Sequence, residues 1–482
     1  MSLVVAHRKR MSRKVATGRR GLTVAVLAIG CSGAAIFGAI SSAFTPEGFP
    51  VAWGIIAVLL IITANKVLGP FLLSPVQIVA GGLFLLAVLG RLFYGAVADV
   101  SGGGSITIHL SDSATRQTQN LILITVVLML SGALLVSAIC GGKAKIPRAT
   151  LQGLKLNASS YRLIALAAPL PLFLLVVGYG PSKLLERSYY IEQHVGSPSI
   201  VSAGTLLSLA AIAGLGCLWA ARKYRTWVLV LMAVAVLTFL GLGSRRLALI
   251  PTLFSLGMLA INTSRRTRLI VIATCFFSFY LIGLPLEFRA QASHGILPYL
   301  DALPGIVGAD HPWGATARNV LISFAIIGKA ALMQPFPLHD LYVSLTPVPG
   351  SLAGWYDIAP YHRLNLYTPT AGLGELWNAG LAATAIVSAV FGAILAWLEI
   401  RAKRLLADGK QILGLILIVL GALFLPFFVQ YNLRAAARML YYALAIDIVA
   451  RMFNLRSGVA TANGSVTPDK RRGSSGLQYD SA

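Results

Sequence analysis

Two pairs of arginines stand where predicted helices begin. Arg245 and Arg246 follow a Gly-Ser dipeptide and open one apolar segment, and Arg434 and Arg438 open the last one. Residues four apart lie on the same face of a helix. The first N–H groups of a helix and the positive end of its dipole attract anions, and paired guanidinium groups suit the clustered oxygens of a diphosphate. These residues therefore predict a diphosphate site, the alternative being arginines that snorkel to lipid headgroups.

A third polar group ends the longest polar segment and runs directly into an apolar one. Arg363 is followed after ten residues by Gly374, with His362 before the first and Glu375 after the second. Glycine lets the backbone approach a ligand closely, and His362, Glu375 or a nearby acid such as Asp357 could accept a proton beside it. The alternative is a glycine-rich loop in which Glu375 caps a helix start. The pattern favours a general base close to the anion site.

Other polar residues of this segment offer weaker candidates. Arg289 is a further candidate ligand for the anion, whereas most of the remaining groups are expected to be solvated, among them His294, Arg318 and Asp340. No triad spacing, phosphate loop or metal-ligand cluster occurs, and the side chains of adjacent pairs such as His339 and Asp340 diverge in most backbone conformations. The sequence thus predicts no metal and no cofactor.

A membrane must hold these candidate residues. The chain has 482 residues, of which 57% are hydrophobic and only 12% charged, too few charges to cover a soluble domain of this size. Inside a bilayer only helices and closed barrels satisfy their own backbone hydrogen bonds, and apolar runs near twenty residues indicate helices. The predicted fold is an all-α polytopic membrane protein. Its spanning helices are expected near residues 21–42, 50–65, 72–94, 119–140, 162–180, 199–221, 227–242, 247–262, 269–286, 376–399, 412–430 and 437–455.

The distribution of charge predicts the orientation of these twelve helices. The net charge is +24, and with the amino terminus inside, most Lys and Arg fall on cytoplasmic connections while most acids fall outside. The excess charge therefore indicates orientation rather than nucleic-acid binding. The chain divides into a basic cytoplasmic amino terminus (1–20), nine spans (21–286), a periplasmic loop (287–375), three spans (376–455) and a cytoplasmic tail (456–482).

Two further expectations concern individual segments. Within the periplasmic loop, residues 319–333 are apolar but too short to span, which predicts an amphipathic or re-entrant helix packed on the membrane face. Asp447 lies deep in the last span and is expected to face the bundle interior beside a partner.

The second half of the chain resembles the Wzy-type polymerases of bacterial surface polysaccharide. The resemblance lies in Leu-Gly-Ser-Arg-Arg at 242–246 opening a helix, then a long external loop, a Gly-Leu-Gly-Glu stretch at 372–375 leading into a span, and arginines at the last helix. It is similar in particular to the oligosaccharide repeat unit polymerases, over residues 240–455. Arg363 and Gly374 match an Arg, ten residues, Gly pattern of those loops, whereas Arg318 to Gly328 is one residue short.

This resemblance implies a metal-independent, GT-C-like glycosyltransferase of the inner membrane. Its donor would be a glycan on undecaprenyl diphosphate, its acceptor a lipid-linked repeat unit at the outer leaflet, and a chain-length regulator is a possible partner. The four arginines of the two pairs would bind the diphosphate, Arg363 the diphosphate or the glycan, and His362 or Glu375 would be the base. The alternatives are an O-antigen ligase of the same chemistry and a lipid-linked oligosaccharide flippase, although alternating access predicts matched halves that this sequence lacks.

Overall fold

Apolar helices make up most of the structure, which is a computed structural model. It describes residues 50–68, 74–98, 110–140, 156–189, 197–288, 291–308, 311–364 and 368–462, together with Gly30 and Gly33. The predicted first span (21–42), the amino terminus, most of the tail and the candidate Arg289 lie outside the described residues. Over the part that is described, the fold is all-helical, with two isolated β-bridges in place of any strand.

The helices follow one another with short connections. The first half contains α1 (Pro50–Leu68), α2 (Pro75–Ala98), α3 (Asp112–Ile139), α4 (Ala158–Ala167), α5 (Pro169–Tyr179), α6 (Pro181–Leu185), α7 (Pro198–Ala220) and α8 (Arg225–Gly241). A 3₁₀ turn (Arg245–Ala248) leads to α9 (Leu249–Ile261), α10 (Arg265–Phe288), α11 (Ile296–Gly308), α12 (His311–Ala331), α13 (Leu338–Leu345) and α14 (Trp355–Ile358). The chain continues through α15 (Gly372–Asn378), α16 (Leu381–Ala407), α17 (Gln411–Gln430) and α18 (Leu433–Ala462).

Eight helical segments among the described residues are long and apolar enough to cross a membrane, as expected for a polytopic membrane protein. They are Pro50–Leu68, Pro75–Gly95, Asp112–Ile139, Ala158–Tyr179, Ala203–Ala220, Arg265–Phe288, Leu381–Ala407 and Leu413–Gln430. The segments predicted at 227–242, 247–262 and 437–455 are helical as well, but α8 has 17 residues and α9 only 13. The figure of twelve spans and the GT-C-like class therefore stay predictions.

Glycines bring particular helices into backbone contact. A Cβ atom added at Gly132 of α3 or Gly392 of α16 would lie 2.0 Å or 1.8 Å from a carbonyl oxygen of the other helix. Gly216 of α7 and Gly257 of α9 approach each other's helix in the same way. Small residues are common where helices must approach closely, because lipid supplies no hydrophobic drive to associate. These contacts fix the two central helix pairs.

The helices form two apolar cores. The larger core joins α1, α2, α3 and α12 with α15, α16, α17 and α18. The smaller core joins α4, α5, α7, α8, α9 and α11 with the end of α10. Leu247 of the 3₁₀ turn belongs to the smaller core, whereas Arg245 of the same turn contacts α12 and α17, which belong to the larger one.

The predicted periplasmic loop is largely helical, and one of its helices is buried. The segment 319–333 is helical as far as Ala331, the end of α12, but Phe324 and Ile327 are fully buried in the larger core. Neighbouring helices therefore cover part of this segment, whereas its position as an amphipathic or re-entrant helix at the membrane stays a prediction. Its length argued against a span, but length alone does not show that neighbouring helices cover its apolar face.

Asp447 faces the bundle interior, as predicted. Its carboxylate is 2% exposed and lies 2.6 Å from Nε of Arg401 on α16, and Arg451, one turn further along α18, contacts the other oxygen. A buried acid needs such partners because desolvation of an isolated charge is costly. The pair also joins the carboxyl-terminal part of α16 to the middle of α18.

Candidate functional site

A buried histidine lies between two carboxylates. Nδ1 of His362 is 3.1 Å from Oε1 of Glu375, and Nε2 is 3.4 Å from Oδ2 of Asp340. The side chains of His362 and Glu375 are only 2% and 3% exposed, and that of Asp340 is 11% exposed. Because the carboxylates contact opposite nitrogens, the imidazole ring bridges them. We call Asp340, His362 and Glu375 the acid–histidine cluster.

Aromatic stacking and a folded-back loop hold the histidine ring in place. The ring of Phe336 stacks on His362 with centroids 4.3 Å apart, and Trp355 contacts the ring at a tilt. The loop after His362 returns through a β-bridge, so that the N–H of Thr370 donates to the His362 carbonyl at 3.2 Å. The Thr370 hydroxyl contacts both that carbonyl and Oε1 of Glu375. The histidine thus has little freedom to turn.

Glu375 occupies the amino-terminal end of a second helix. It lies in the first turn of α15, and its Oε2 accepts a hydrogen bond of 2.8 Å from the N–H of Leu433, the first residue of α18. The N–H of Ala435, two residues further along α18, donates to Oδ1 of Asn432 at 2.9 Å. A carboxylate suits this position because the helix dipole is positive there. The start of α18, predicted to hold a diphosphate, is therefore already occupied by a carboxylate of the protein.

The cluster favours a protonated histidine. Burial lowers the pKa of His362, but hydrogen bonding and charge from Glu375, followed by those from Asp340, outweigh it and raise the pKa above its ordinary value. When the ring is protonated, each of its two nitrogens carries a hydrogen directed at a different carboxylate.

Arg434 is buried and binds backbone carbonyls of the protein. It is 1% exposed, and its guanidinium donates to the carbonyl oxygens of Val343, at the end of α13, and Val348. The same group lies over the ring of Trp355, 5.6 Å from its centroid. No carboxylate among the described residues pairs with it. The structure gives Arg434 protein carbonyls in place of the predicted diphosphate, and this contact holds α13 with Asp340 against α18.

Arg438 lies one turn beyond Arg434 on α18. Its side chain is half-buried on the same face of α18, and within the described ranges no acid lies at ion-pair distance. Of the second arginine pair, Arg438 is the member that an external anion can reach.

The first arginine pair is joined to the same region of the fold. Ser244 caps the 3₁₀ turn by accepting from the N–H of Arg246. Arg245 donates to the side chains of Asn319 on α12, at 3.1 Å, and Gln430 at the end of α17, at 3.3 Å. Gln430 precedes α18 by only two connecting residues, so Arg245 contacts the connection between α17 and α18, directly before the helix that carries the second pair. Arg246 itself is exposed.

The other predicted residues have different positions. Arg363 is exposed beside His362, and Asp357 is exposed on α14, where no contact joins it to the acid–histidine cluster. Gly374 is buried, and a Cβ there would lie 2.6 Å from Cβ of Ala330 on α12. This glycine allows α15 to pack on α12, which explains its presence without a ligand.

The sequence analysis missed two contributors to the site. Asp340, expected to be solvated, is buried and contacts His362, and the only signal was its place in a loop rich in polar residues. Thr370 lies in the predicted site segment but carries no predicted role, and its hydroxyl contacts Glu375. Both contacts cross several residues of irregular chain, where periodicity gives no guide.

A small pocket reaches the cluster. His362 and Glu375 line it together with Phe336, Leu341, Ser344, Ala379 and Leu433, and its volume of about 10 Å³ leaves room for roughly one water molecule. Its mostly apolar walls would exclude bulk water from the polar atoms. The two carboxylates cannot share a cation, because they contact opposite nitrogens of one ring, and no group of three or more potential metal ligands was found among the residues described.

The fold and the cluster define an all-helical membrane protein with a buried acid–base centre in its loop region. Comparison of the chain with protein-family models, curated proteins and solved structures gave no match. Function must therefore be argued from the geometry of the site.

Proposed function

We propose that this protein is a membrane glycosyltransferase that polymerises undecaprenyl-diphosphate-linked oligosaccharide repeat units of a surface polysaccharide. It would act at the periplasmic face of the inner membrane, with both termini in the cytoplasm. The observation that carries the proposal is the buried acid–histidine cluster, in which Glu375 contacts the start of α18, three residues after the Gln430 that Arg245 binds. An acid–base centre beside several cations is what glycosyl transfer from a lipid diphosphate requires.

The reaction needs a proton acceptor and charge stabilisation. A sugar hydroxyl of the acceptor attacks the anomeric carbon of the donor, the hydroxyl proton leaves, and the bond from that carbon to the diphosphate oxygen breaks. Glu375 or Asp340 takes the proton, and His362 holds both carboxylates in position. The departing diphosphate gains negative charge, which preorganised cations stabilise.

Three arginines are suited to stabilise the leaving group. Arg246 is exposed, Arg438 is half-buried, and Arg245 is held in place by Asn319 and Gln430. Arginine suits a diphosphate because its planar donors match pairs of phosphate oxygens. Arg363 is exposed beside the cluster and is assigned to the diphosphate or the glycan.

The test is polymerisation by purified protein in nanodiscs. The substrate is an undecaprenyl-diphosphate-linked repeat unit from the same cells, and chain length is read on gels. Arg246→Ala and His362→Gln are each expected to lower the rate at least about a hundredfold, because Arg246 stabilises the leaving group and His362 positions the base. Arg404→Ala, an exposed arginine on a predicted cytoplasmic connection, is the matched control.

The products separate the proposal from its rivals. Long chains from wild type and Arg404→Ala, with unextended units from the other two variants, support it. Normal chains from both Arg246→Ala and His362→Gln refute the assigned site. Transfer of glycan only to an added lipid A core acceptor identifies a ligase instead, and transbilayer movement of the lipid without new glycosidic bonds identifies a flippase.

A further inference from the structure

Arg187, which follows the short helix α6, is buried against the end of a different helix. It is 6% exposed, and Nη1 donates to the carbonyl oxygen of Gly241 at 2.8 Å and to that of Lys183 at 3.3 Å. Nη2 lies 3.5 Å from the carbonyl oxygen of Leu242. Gly241 and Leu242 are the last residue and the C-cap of α8, so a distant arginine covers the final carbonyls of this helix.

The end of α8 is followed closely in the chain by the first arginine pair. The last carbonyls of a helix have no partner within the helix and are satisfied by other groups. After α8 the chain turns through Gly243, which has φ of 60°, and its N–H donates to the carbonyl of Leu240 at 2.7 Å. Glycine adopts this left-handed conformation without strain. The 3₁₀ turn with Arg245 and Arg246 begins two residues later, so its direction depends on the end of α8.

Arg187 is itself held on its other side. Its backbone pairs with His294 through hydrogen bonds of 2.7 Å and 2.8 Å, and its guanidinium lies 5.5 Å from the centre of the Tyr179 ring. Nδ1 of His294 lies 3.0 Å from the hydroxyl of Tyr299, a fully buried residue that stacks on Phe288. These contacts fix the Arg187 side chain against residues of the smaller core.

We propose that Arg187 is a positioning residue for the diphosphate. By binding the carbonyls of Gly241 and Leu242 it fixes the turn that presents Arg245 and Arg246, and it does not touch the substrate. This inference rests on the proposed function, because it requires a diphosphate at that turn. A lysine cannot replace it fully, since one ammonium group does not reproduce a planar fork directed at two carbonyls.

The experiment is a double-mutant cycle on the full chain in nanodiscs, with undecaprenyl diphosphate as the probe. Arg246→Ala is expected to weaken binding of the probe about tenfold, the loss typical of one charged contact. Arg187→Ala should weaken it to a similar degree, and the double variant should bind about as weakly as either single one, because both act through one turn. Arg225→Ala removes an exposed arginine that stacks on Trp219 at the opposite end of α8, and should bind like wild type.

A second measurement separates positioning from general damage. Hydrogen exchange of a peptide covering residues 242–248 should accelerate in Arg187→Ala, with little change in a peptide from α16. Arg187→Lys, which keeps the charge, should fall between wild type and Arg187→Ala in probe affinity, and it serves as the test variant if Arg187→Ala does not yield monodisperse protein.

The outcomes are distinguishable. The positioning role is overturned if the double variant loses about a hundredfold in probe affinity, the product of the two single losses. It is also overturned if probe affinity is unchanged in Arg187→Ala or in Arg187→Lys. In both cases the diphosphate site stands. Unchanged affinity in Arg246→Ala overturns the diphosphate site, and with it the inference about Arg187.

Discussion

Replacing Glu375 by glutamine tests the acid–histidine cluster with the smallest possible change in shape. The carboxylate contacts His362 at 3.1 Å, the Thr370 hydroxyl, and the N–H of Leu433 at 2.8 Å. The amide of glutamine has the same size but keeps at most part of these contacts. Its NH₂ group replaces one of the two oxygens, and at either position it faces a hydrogen-bond donor. The charge that the histidine and the start of α18 both favour is lost.

The expected loss of stability follows from those contacts. Hydrogen bonds to charged groups contribute about 1.5–3 kcal/mol each, against about 0.5–1.5 kcal/mol for neutral ones. The loss of favourable charge at a helix terminus adds about 0.3–1 kcal/mol. With Glu375 only 3% exposed, solvent cannot replace the missing partners. Glu375→Gln should therefore lower the free energy of unfolding by about 2–4 kcal/mol, judged from two charged contacts weakened to neutral ones.

The assay is unfolding of purified protein in mild detergent, followed by tryptophan fluorescence as SDS is added. Asp357→Asn is the matched control, because Asp357 is an exposed acid of the same loop region, and should change stability by less than about 0.5 kcal/mol. Turnover is then measured at equal amounts of folded protein and should fall at least about a hundredfold in Glu375→Gln alone. A stability loss no larger than that of Asp357→Asn would refute the charged, buried cluster. Normal turnover would refute its role as a base.

Two further predictions use the same assays. The pKa of His362 is raised in the folded protein, so the stability that its protonation contributes is complete below the ordinary value of 6.5 and is lost as pH rises through the raised pKa. Wild type should therefore become less stable with rising pH above neutrality. His362→Gln should flatten that slope. An equal slope in both proteins would show that another group is responsible. Gly374→Ala adds a methyl group 2.6 Å from Cβ of Ala330 and should lower the free energy of unfolding by about 1–3 kcal/mol through overpacking. The control is Gly54→Ala in α1, whose methyl group meets no atom within 4 Å and should stabilise the protein slightly. Equal stability of the two variants would contradict the packing of α15 on α12.

The sequence determined the membrane class, the positions of the long helices and several residues of the site. In lipid a backbone must satisfy its own hydrogen bonds, so an apolar run of sufficient length specifies a helix without reference to the rest of the chain. His362 and Glu375 were identifiable because both lie near the start of one apolar segment. Asp447 was expected to have a partner because a buried charge requires one.

Only the tertiary structure decided which groups those residues meet. Asp340 lies 22 residues from His362 and reaches it because α13 packs against α18, a contact in which Arg434 binds carbonyls of α13 and of the loop after it. The burial of α12 and the contact of Arg187 with α8 likewise depend on neighbours distant in the chain. Hydropathy and helix formation are local properties, whereas the partner of a polar side chain depends on how separate helices pack.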